Sequence, residues 1–274
     1  MKKMWLFLPI LVFSSGLASA TDSSVKEQLR KTYVGSQQML RHFYASADLK
    51  FDADGNPRNK EKEGPWTLLS GVLIDHVTLK SDKLELSGYR RLLVIDDHTK
   101  TLRSIKLGEN FSIEIATRPG PEQVRQLSSA LARVFVSADD LVSVAPDYWR
   151  DYLTRFSGKA AQGEPCEDSA AKLVSDDASG GKVSAGITDG VKIRDALPSY
   201  YEIARENRVE GELALRAVID SSGSVTRVCI IKALGAGLDD MMVNTVRQWK
   251  YKPYTLNGQP IEVQTTVTTR FGIR

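Results

Sequence analysis

Ile261-Glu-Val-Gln-Thr-Thr-Val-Thr-Thr-Arg-Phe271 alternates with a period of two. Ile261, Val263, Thr265, Val267, Thr269 and Phe271 fall on one side, and Glu262, Gln264, Thr266, Thr268 and Arg270 on the other. This pattern predicts a strand with one face on a core and one polar face. Just upstream, Asn257-Gly258 is a strong hairpin signal, because both residues tolerate the positive φ of a tight two-residue turn. Lys250–Tyr254 reads as the strand that enters this turn.

Working outward, Leu238, Met242, Val246 and Trp249 lie on one face of a helix. Asp239 and Asp240 occupy its first turn, where the helix dipole favours acids. Before it, Gly235-Ala-Gly237 breaks the chain. Val225–Lys232 and Glu212–Asp220 form a hairpin around the turn Asp220-Ser-Ser-Gly223. Leu213, Leu215, Ala217 and Ile219 alternate with other residues, so the first strand is expected to be half-buried. Pro198–Asn207 reads as a second helix. The order helix, hairpin, helix, strand pair implies a small antiparallel sheet packed by two helices over residues 191–274.

Residues 191–274 resemble the TonB C-terminal domain family. The resemblance is carried by Ser199-Tyr-Tyr-Glu-Ile-Ala-Arg205, Val209-Glu-Gly211, Val218-Ile-Asp220, Gly223-Ser-Val225, Leu234-Gly235, Leu238-Asp239, Val246-Arg-Gln-Trp-Lys-Tyr-Lys-Pro253, Asn257-Gly-Gln-Pro260 and Arg270-Phe-Gly272. Tyr201 departs from it, because the family usually has Pro after Tyr. The family's transducers bind outer-membrane receptors and pass on energy from an inner-membrane motor. The resemblance implies that a receptor's short N-terminal segment adds as a strand to the sheet edge of this domain. In such an addition, unpaired backbone groups supply affinity and side chains supply register. The strand Ile261–Phe271 is the candidate edge, with Glu262, Gln264, Thr266, Thr268 and Arg270 as its partner-binding residues. The alternatives are that the strand only closes a core or pairs the sheets of a homodimer.

Residues 1–20 read as a secretory signal. Lys2 and Lys3 precede an apolar run from Met4 to about Leu17, and Ala18-Ser-Ala20 is a small-x-small cleavage pattern. The run is interrupted by Pro9 and is short of the roughly 20 residues of a spanning helix. The expectation is an exported periplasmic protein cleaved after Ala20. An uncleaved anchor is the alternative, and it belongs with the transducer reading, because the family's transducers keep an anchor and a long Pro-rich spacer. Residues 157–190 hold Pro165 as their one proline and are rich in Gly, Ser, Ala and Asp, which suits a flexible linker. A flexible chain of that length spans only roughly 30 Å. A brief helical turn is expected at Ala170–Val174.

Residues 21–156 read as a β-rich α+β domain, so the whole chain is expected to be α+β. Val25, Leu29 and Tyr33, four apart, predict a short amphipathic helix. Gln37–Tyr44 reads as a strand. Between Trp66 and Thr117, turn clusters at Lys80-Ser-Asp82 and Asp96-Asp-His98 separate strand-like runs, the mark of an antiparallel meander. After Pro119-Gly-Pro121, Val124, Leu127, Leu131, Val134 and Phe135 share a helical face. Pro146–Phe156, with Tyr148, Trp149 and Tyr152, is expected to close that sheet as a helical turn.

The 274 residues are 42% hydrophobic and 26% charged, ordinary for a folded chain, and the formal charge is +3. Loss of Lys2 and Lys3 would leave +1, which gives no electrostatic footprint for nucleic acid. With three His and two Cys, a Cys/His zinc site is excluded and no cofactor is implied. Asp52-x-Asp54-Gly55 invites a calcium reading, but that register puts Lys50 at the first ligand position. Gly235-Ala-Gly237 lacks the third glycine of a dinucleotide loop. Asp75-His76 and Asp97-His98 are the candidates for an enzyme in the N-terminal domain, yet no serine elbow or Cys–His pair accompanies them. Trp66, Trp149 and Trp249 read as core. Export places Cys166 and Cys229 where a disulfide can form, and pairing or two separate thiols both stay open. The reading that follows is a non-enzymatic binding protein whose partner is an envelope protein.

Overall fold

The computed structural model describes residues 22–272, apart from 60, 97, 100, 138–139, 158–165, 167–170, 174–186, 189–190 and 195–200. The signal segment therefore lies outside the described residues, as does Asp97. Among the described residues, no helix is long and apolar enough to cross a membrane. The chain is α+β and divides into two compact units. The first ends at Leu93 and resumes over Leu102–Val144; the second holds Val94–Thr101 and Ala145–Arg274.

The first unit contains α1 (Asp22–Tyr33), β1 (Gln37–Met39), β2 (Asp48–Phe51), α2 (Trp66–Leu69), β3 (Gly71–Leu79), β4 (Lys83–Asp96), β5 (Thr101–Ala116), α3 (Gln123–Val134) and α4 (Leu141–Val144), the tip of the β4–β5 hairpin being grouped with the second unit. Its strands run β1-β3-β4-β5-β2, with β1, β3 and β4 antiparallel in turn and β2 parallel to β5. The expected strand 37–44 is shorter than the sequence suggests. Only Gln37–Met39 pairs with β3, after which Leu40 bridges to Phe135 and Tyr44 to Glu63. The apolar face of α1, Val25, Leu29 and Tyr33, joins Leu127, Ala130, Leu131 and Val134 of α3 in one core with the inward residues of the sheet. A bulge on β3 between Ile74 and His76 faces Gly88 on β4. A side chain at 88 would run into the Leu73 carbonyl, so glycine is required by close approach.

Arg90 of β4 is buried in this core. Its guanidinium donates to the carbonyls of Leu69, Tyr44 (2.8 Å) and Ser46 (2.8 Å), and it lies 5.9 Å from the centre of the Phe111 ring. One planar fork thereby satisfies three backbone carbonyls, two in the irregular segment between β1 and α2 and one at the end of α2.

The second unit contains α5 (Asp147–Phe156), β6 (Lys172–Leu173), β7 (Ile187–Thr188), β8 (Lys192–Arg194), α6 (Glu202–Glu206), β9 (Gly211–Ile219), β10 (Val225–Lys232), α7 (Leu238–Val246), β11 (Lys250–Tyr251), β12 (Thr255–Leu256), β13 (Gln259–Pro260) and β14 (Val263–Phe271). The main sheet runs β10-β9-β14-β6. Two small sheets, β11-β8 and β13-β12-β7, accompany it. The Asn257-Gly258 turn joins β12 to β13 with φ of 53° and 80°, the left-handed pair its sequence demands.

Three expectations change here. Helix α5 does not close the N-terminal sheet; it packs against β10 of the second unit and buries Trp149, Tyr152, Leu153 and Phe156. Strand β9 is not half-buried: Leu213, Leu215, Ala217 and Ile219 are buried, and so are Ala214 and Val218 on the opposite face. Within the stretch read as a linker, Lys172–Leu173 is a strand rather than a helical turn, and Ile187–Thr188 pairs with β12. The first two belong together, since β9 buries apolar residues on both faces and α5 adds its own against β10. The third is edge pairing, β6 with β14 and β7 with β12.

Candidate functional site

Strand β14 is held in place by β9, to which it pairs antiparallel from Val263↔Ile219 to Phe271↔Gly211 without interruption. Its inward residues Val263, Thr265, Val267 and Phe271 are buried, as the alternation predicts. On its other side the neighbour is β6, which pairs in parallel with Val263 and Gln264 alone. From Thr265 to Phe271, β14 therefore has β9 as its one strand partner among the described residues. A strand edge of this kind presents backbone N–H and C=O groups to whatever can pair with them.

The five polar residues predicted for partner binding do not share one environment. Exposure rises along the strand. Gln264 is buried, Thr266 is half-buried, and Thr268 and Arg270 are exposed. Glu262 precedes the strand and is half-buried. Gln264 is buried because Nε2 reaches the Ala171 carbonyl at 3.4 Å, at the start of β6. The charge on β14 is confined to Arg270, and three of the exposed or half-buried positions are threonines, a residue that suits strands.

The opposite end of the sheet is fixed by groups that the sequence pattern did not connect. Cys166 and Cys229 form a disulfide, with Cα atoms 6.2 Å apart. The Cys166 N–H also donates to Asp151 Oδ2 of α5 at 2.9 Å, and Arg155 Nε donates to the same oxygen at 3.1 Å. Near the start of α7, Tyr148 of α5 donates its hydroxyl to Asp240 Oδ1 at 2.7 Å. Burial first, and the Asp240 carboxylate second, hold the Tyr148 phenol well above its ordinary range. Arg247 lies over the Tyr148 ring at 5.2 Å and reaches Asp147 at 3.5 Å. Asp239, expected as a dipole-favoured acid, is wholly buried, and it accepts the N–H groups of Leu234 (3.0 Å) and Gly235 (2.6 Å). Burial pushes its carboxyl up to about 8, against the pull of those N–H groups. Trp249 is buried beneath Lys192, whose Nζ lies 3.5 Å from the ring centre.

The remaining candidates fall in separate places. Asp75 and His76 lie at the β3 bulge and line an open groove of about 450 Å³ together with Asp48, Ser87, Tyr89 and Phe111. His98 sits in the turn after β4, where its N–H and that of Thr99 donate to Asp96 Oδ1 at 3.1 Å each. Asp52 Oδ1 accepts the N–H groups of Asp54 and Asn56 at 2.9 Å, so this carboxylate organises a turn. Among the described residues, no three His, Cys, Asp or Glu side chains cluster to hold a metal.

Residues 196–273 match the family model for the Gram-negative bacterial TonB protein C-terminal. This segment is similar to the TonB C-terminal domain. The TonB protein of Vibrio cholerae is 28% identical over 75 residues, 27% of this chain and 31% of the relative. The TonB protein of Xanthomonas campestris is 31% identical over 77 residues, 28% of this chain and 34% of the relative. The chain thus spans about a third of the length of these curated relatives. A solution structure of the Pseudomonas aeruginosa TonB C-terminal domain shares 19% identity, covering 33% of this chain and 89% of that one, with a TM-score of 0.27. The TonB-matching segment begins after α5, β6, β7 and β8, so the helix and strands that complete the second unit lie outside it.

Proposed function

We propose that this chain is an exported envelope protein whose C-terminal module takes up an extended segment of another envelope protein as an added strand on β14. The observation that carries this reading is the stretch Thr265–Arg270, whose one strand partner among the described residues is β9, within the segment that matches the TonB C-terminal model. Main-chain hydrogen bonds would supply most of the affinity, and Thr266, Thr268 and Arg270 would read the partner's alternate side chains. The N-terminal segment of an outer-membrane receptor is the partner class implied by the family resemblance. The role is one of binding, not catalysis. Titration of the isotope-labelled chain with synthetic receptor N-terminal peptides tests it. The expected result is amide shifts concentrated at Thr265–Phe271; saturation with no shift there overturns the reading.

The match to proteins named TonB favours a second reading, an anchored transducer coupled to an inner-membrane motor. Export with cleavage after Ala20 opposes it, because the module would then lose its link to the membrane. Mass spectrometry of the fractionated protein separates the two. A chain beginning at Thr21 in the soluble periplasmic fraction supports the binding module. A chain retaining Met1–Ala20 in the membrane fraction supports the transducer.

A further inference from the structure

The groove beside the β3 bulge is lined by residues of the first unit alone, so it is independent of strand addition at β14. It begins with a change of phase along β3. Val72, Ile74 and Val77 all lie in the core, so the inward residues stand two apart and then three apart. Ile74 pairs with Gly88 and His76 with Ser87, which leaves Asp75 as the extra residue. A regular strand sends consecutive side chains to opposite faces. The bulge instead brings the side chains of Asp75 and His76 to the same groove. Gly88 allows this close fit, because a Cβ there would come to 3.0 Å from the Asp75 nitrogen.

The neighbouring strands complete the lining. Ser87, Gly88 and Ser112 are small and leave the floor low. Asp48 of β2 accepts the Ser112 hydroxyl on Oδ1 at 2.6 Å, which orients its carboxylate. Lys106 Nζ lies 3.4 Å from the centre of the Tyr89 ring and covers one of its faces. Among the described residues, no hydrogen-bond partner occupies the side chains of Asp75, His76, Ser87 or Asn110. Two carboxylates by themselves would suit a cation, and they repel an anion. Here they stand beside an imidazole, a hydroxyl and a carboxamide, each able to donate and to accept. Such a mixture matches a ligand whose own groups do both, as the hydroxyls of a sugar do. A sugar ring also has an apolar C–H face for an aromatic side chain to meet. The volume of about 450 Å³ is within the range of small-molecule sites.

We infer that this groove binds a neutral saccharide. Asp48 and Asp75 accept its hydroxyl protons, His76, Ser87 and Asn110 complete the hydrogen bonds, and Tyr89 packs against the ring. The β3 bulge is what sets Asp75 and His76 side by side for the purpose.

The test titrates the isotope-labelled full chain with cellobiose, maltose and N,N′-diacetylchitobiose, with longer oligomers of each, and with spermidine. At millimolar concentration, at least one saccharide should shift the amides of Asp75, His76, Ser87, Tyr89 and Asn110. Shifts from a disaccharide indicate a free sugar as ligand, and shifts from the oligomers alone indicate a glycan chain; both support the site. Asp75→Ala should then weaken binding about tenfold, the loss expected for a hydrogen bond to a charged group. Thr78→Ala, exposed on the same strand outside the groove, should leave it unchanged. Asn110→Ala, at an exposed position, replaces Asp75→Ala if that variant fails to fold. Shifts from spermidine alone overturn the inference in favour of a cation site. It is equally overturned if no saccharide shifts these amides, or if a saccharide binds the Asp75 or Asn110 variant as tightly as the native chain.

Discussion

The two units end their sheets in different ways. In the first, short strands cap the ends, β1 over Gly71–Leu73 and β2 over Ser112–Ile115. The remainder of β5 carries Arg103, Lys106 and Glu109, and charges of this kind discourage the addition of a foreign strand. In the second unit, β14 is capped for two residues and then runs on through Thr266, Thr268 and Thr269 to its single charge at Arg270. Edges are normally guarded, and the contrast with this threonine-rich stretch is what motivates the proposal of strand addition at β14. The units also differ in how irregular backbone is held. A buried guanidinium does it in the first, and a covalent tether does it in the second.

That comparison can be broken experimentally, most severely at the tether. The disulfide closes a loop with a sequence separation of 63. The chain-entropy account credits such a loop with about 4 kcal/mol. The C166S/C229S variant should lose stability on that order, and residue-resolved amide exchange in denaturant should place the loss in the second unit. Equal weakening of α1, β3 and α3 would show that the tether does not belong to one unit. The counterpart in the first unit is Arg90→Met, which strands the carbonyls of Leu69, Tyr44 and Ser46. A loss of about 3 kcal/mol is expected from removing hydrogen bonds of a charged donor. It should appear in chemical denaturation of the first unit while peptide binding at β14 is retained.

The edge itself is sharpened by giving β14 the guard that β5 has. Thr268→Lys places a charge on an exposed position, where stability should change by less than about 0.5 kcal/mol. Receptor-peptide affinity should nevertheless fall several-fold in a fluorescence titration, because the new charge must be accommodated beside an added strand. Unaltered affinity would remove charge from the account of the two edges.

A separate, pH-dependent effect concerns Asp239, which supports the turn before α7. Its folded carboxyl is raised to about 8, whereas the ordinary value is 3.8. Protonation is thus favoured in the folded state, and the contribution is fully present below about pH 4. It is lost as pH rises through about 8. The thermal midpoint of the native chain relative to Asp239→Asn should therefore decline between about pH 4 and pH 8. A difference that stays flat or rises over this window would mean that the two backbone N–H groups outweigh burial.

Much of this architecture was legible in local patterns. The four-residue spacing of Val25, Leu29 and Tyr33 gives α1, the alternation from Val263 to Phe271 gives β14, and Asn257-Gly258 gives the turn between β12 and β13. These readings succeed because amphipathic periodicity records which side of an element meets a core. The partner of that core is not recorded. Tyr148, Trp149 and Tyr152 announce a buried helix with no sign that it belongs on β10. Lys172–Leu173 is too short for any periodicity, and its strand character comes from β14. Arg90 looks like any surface arginine until three carbonyls converge on it.

The sequence by itself determined the α+β class, the polar and apolar sides of β14, and the extent of the TonB-like segment, because each is written in residues close along the chain. Only the tertiary structure decided which segments meet β14. Its neighbours are β9 and a two-residue strand with no pattern of its own, and pairing between distant segments leaves no local trace.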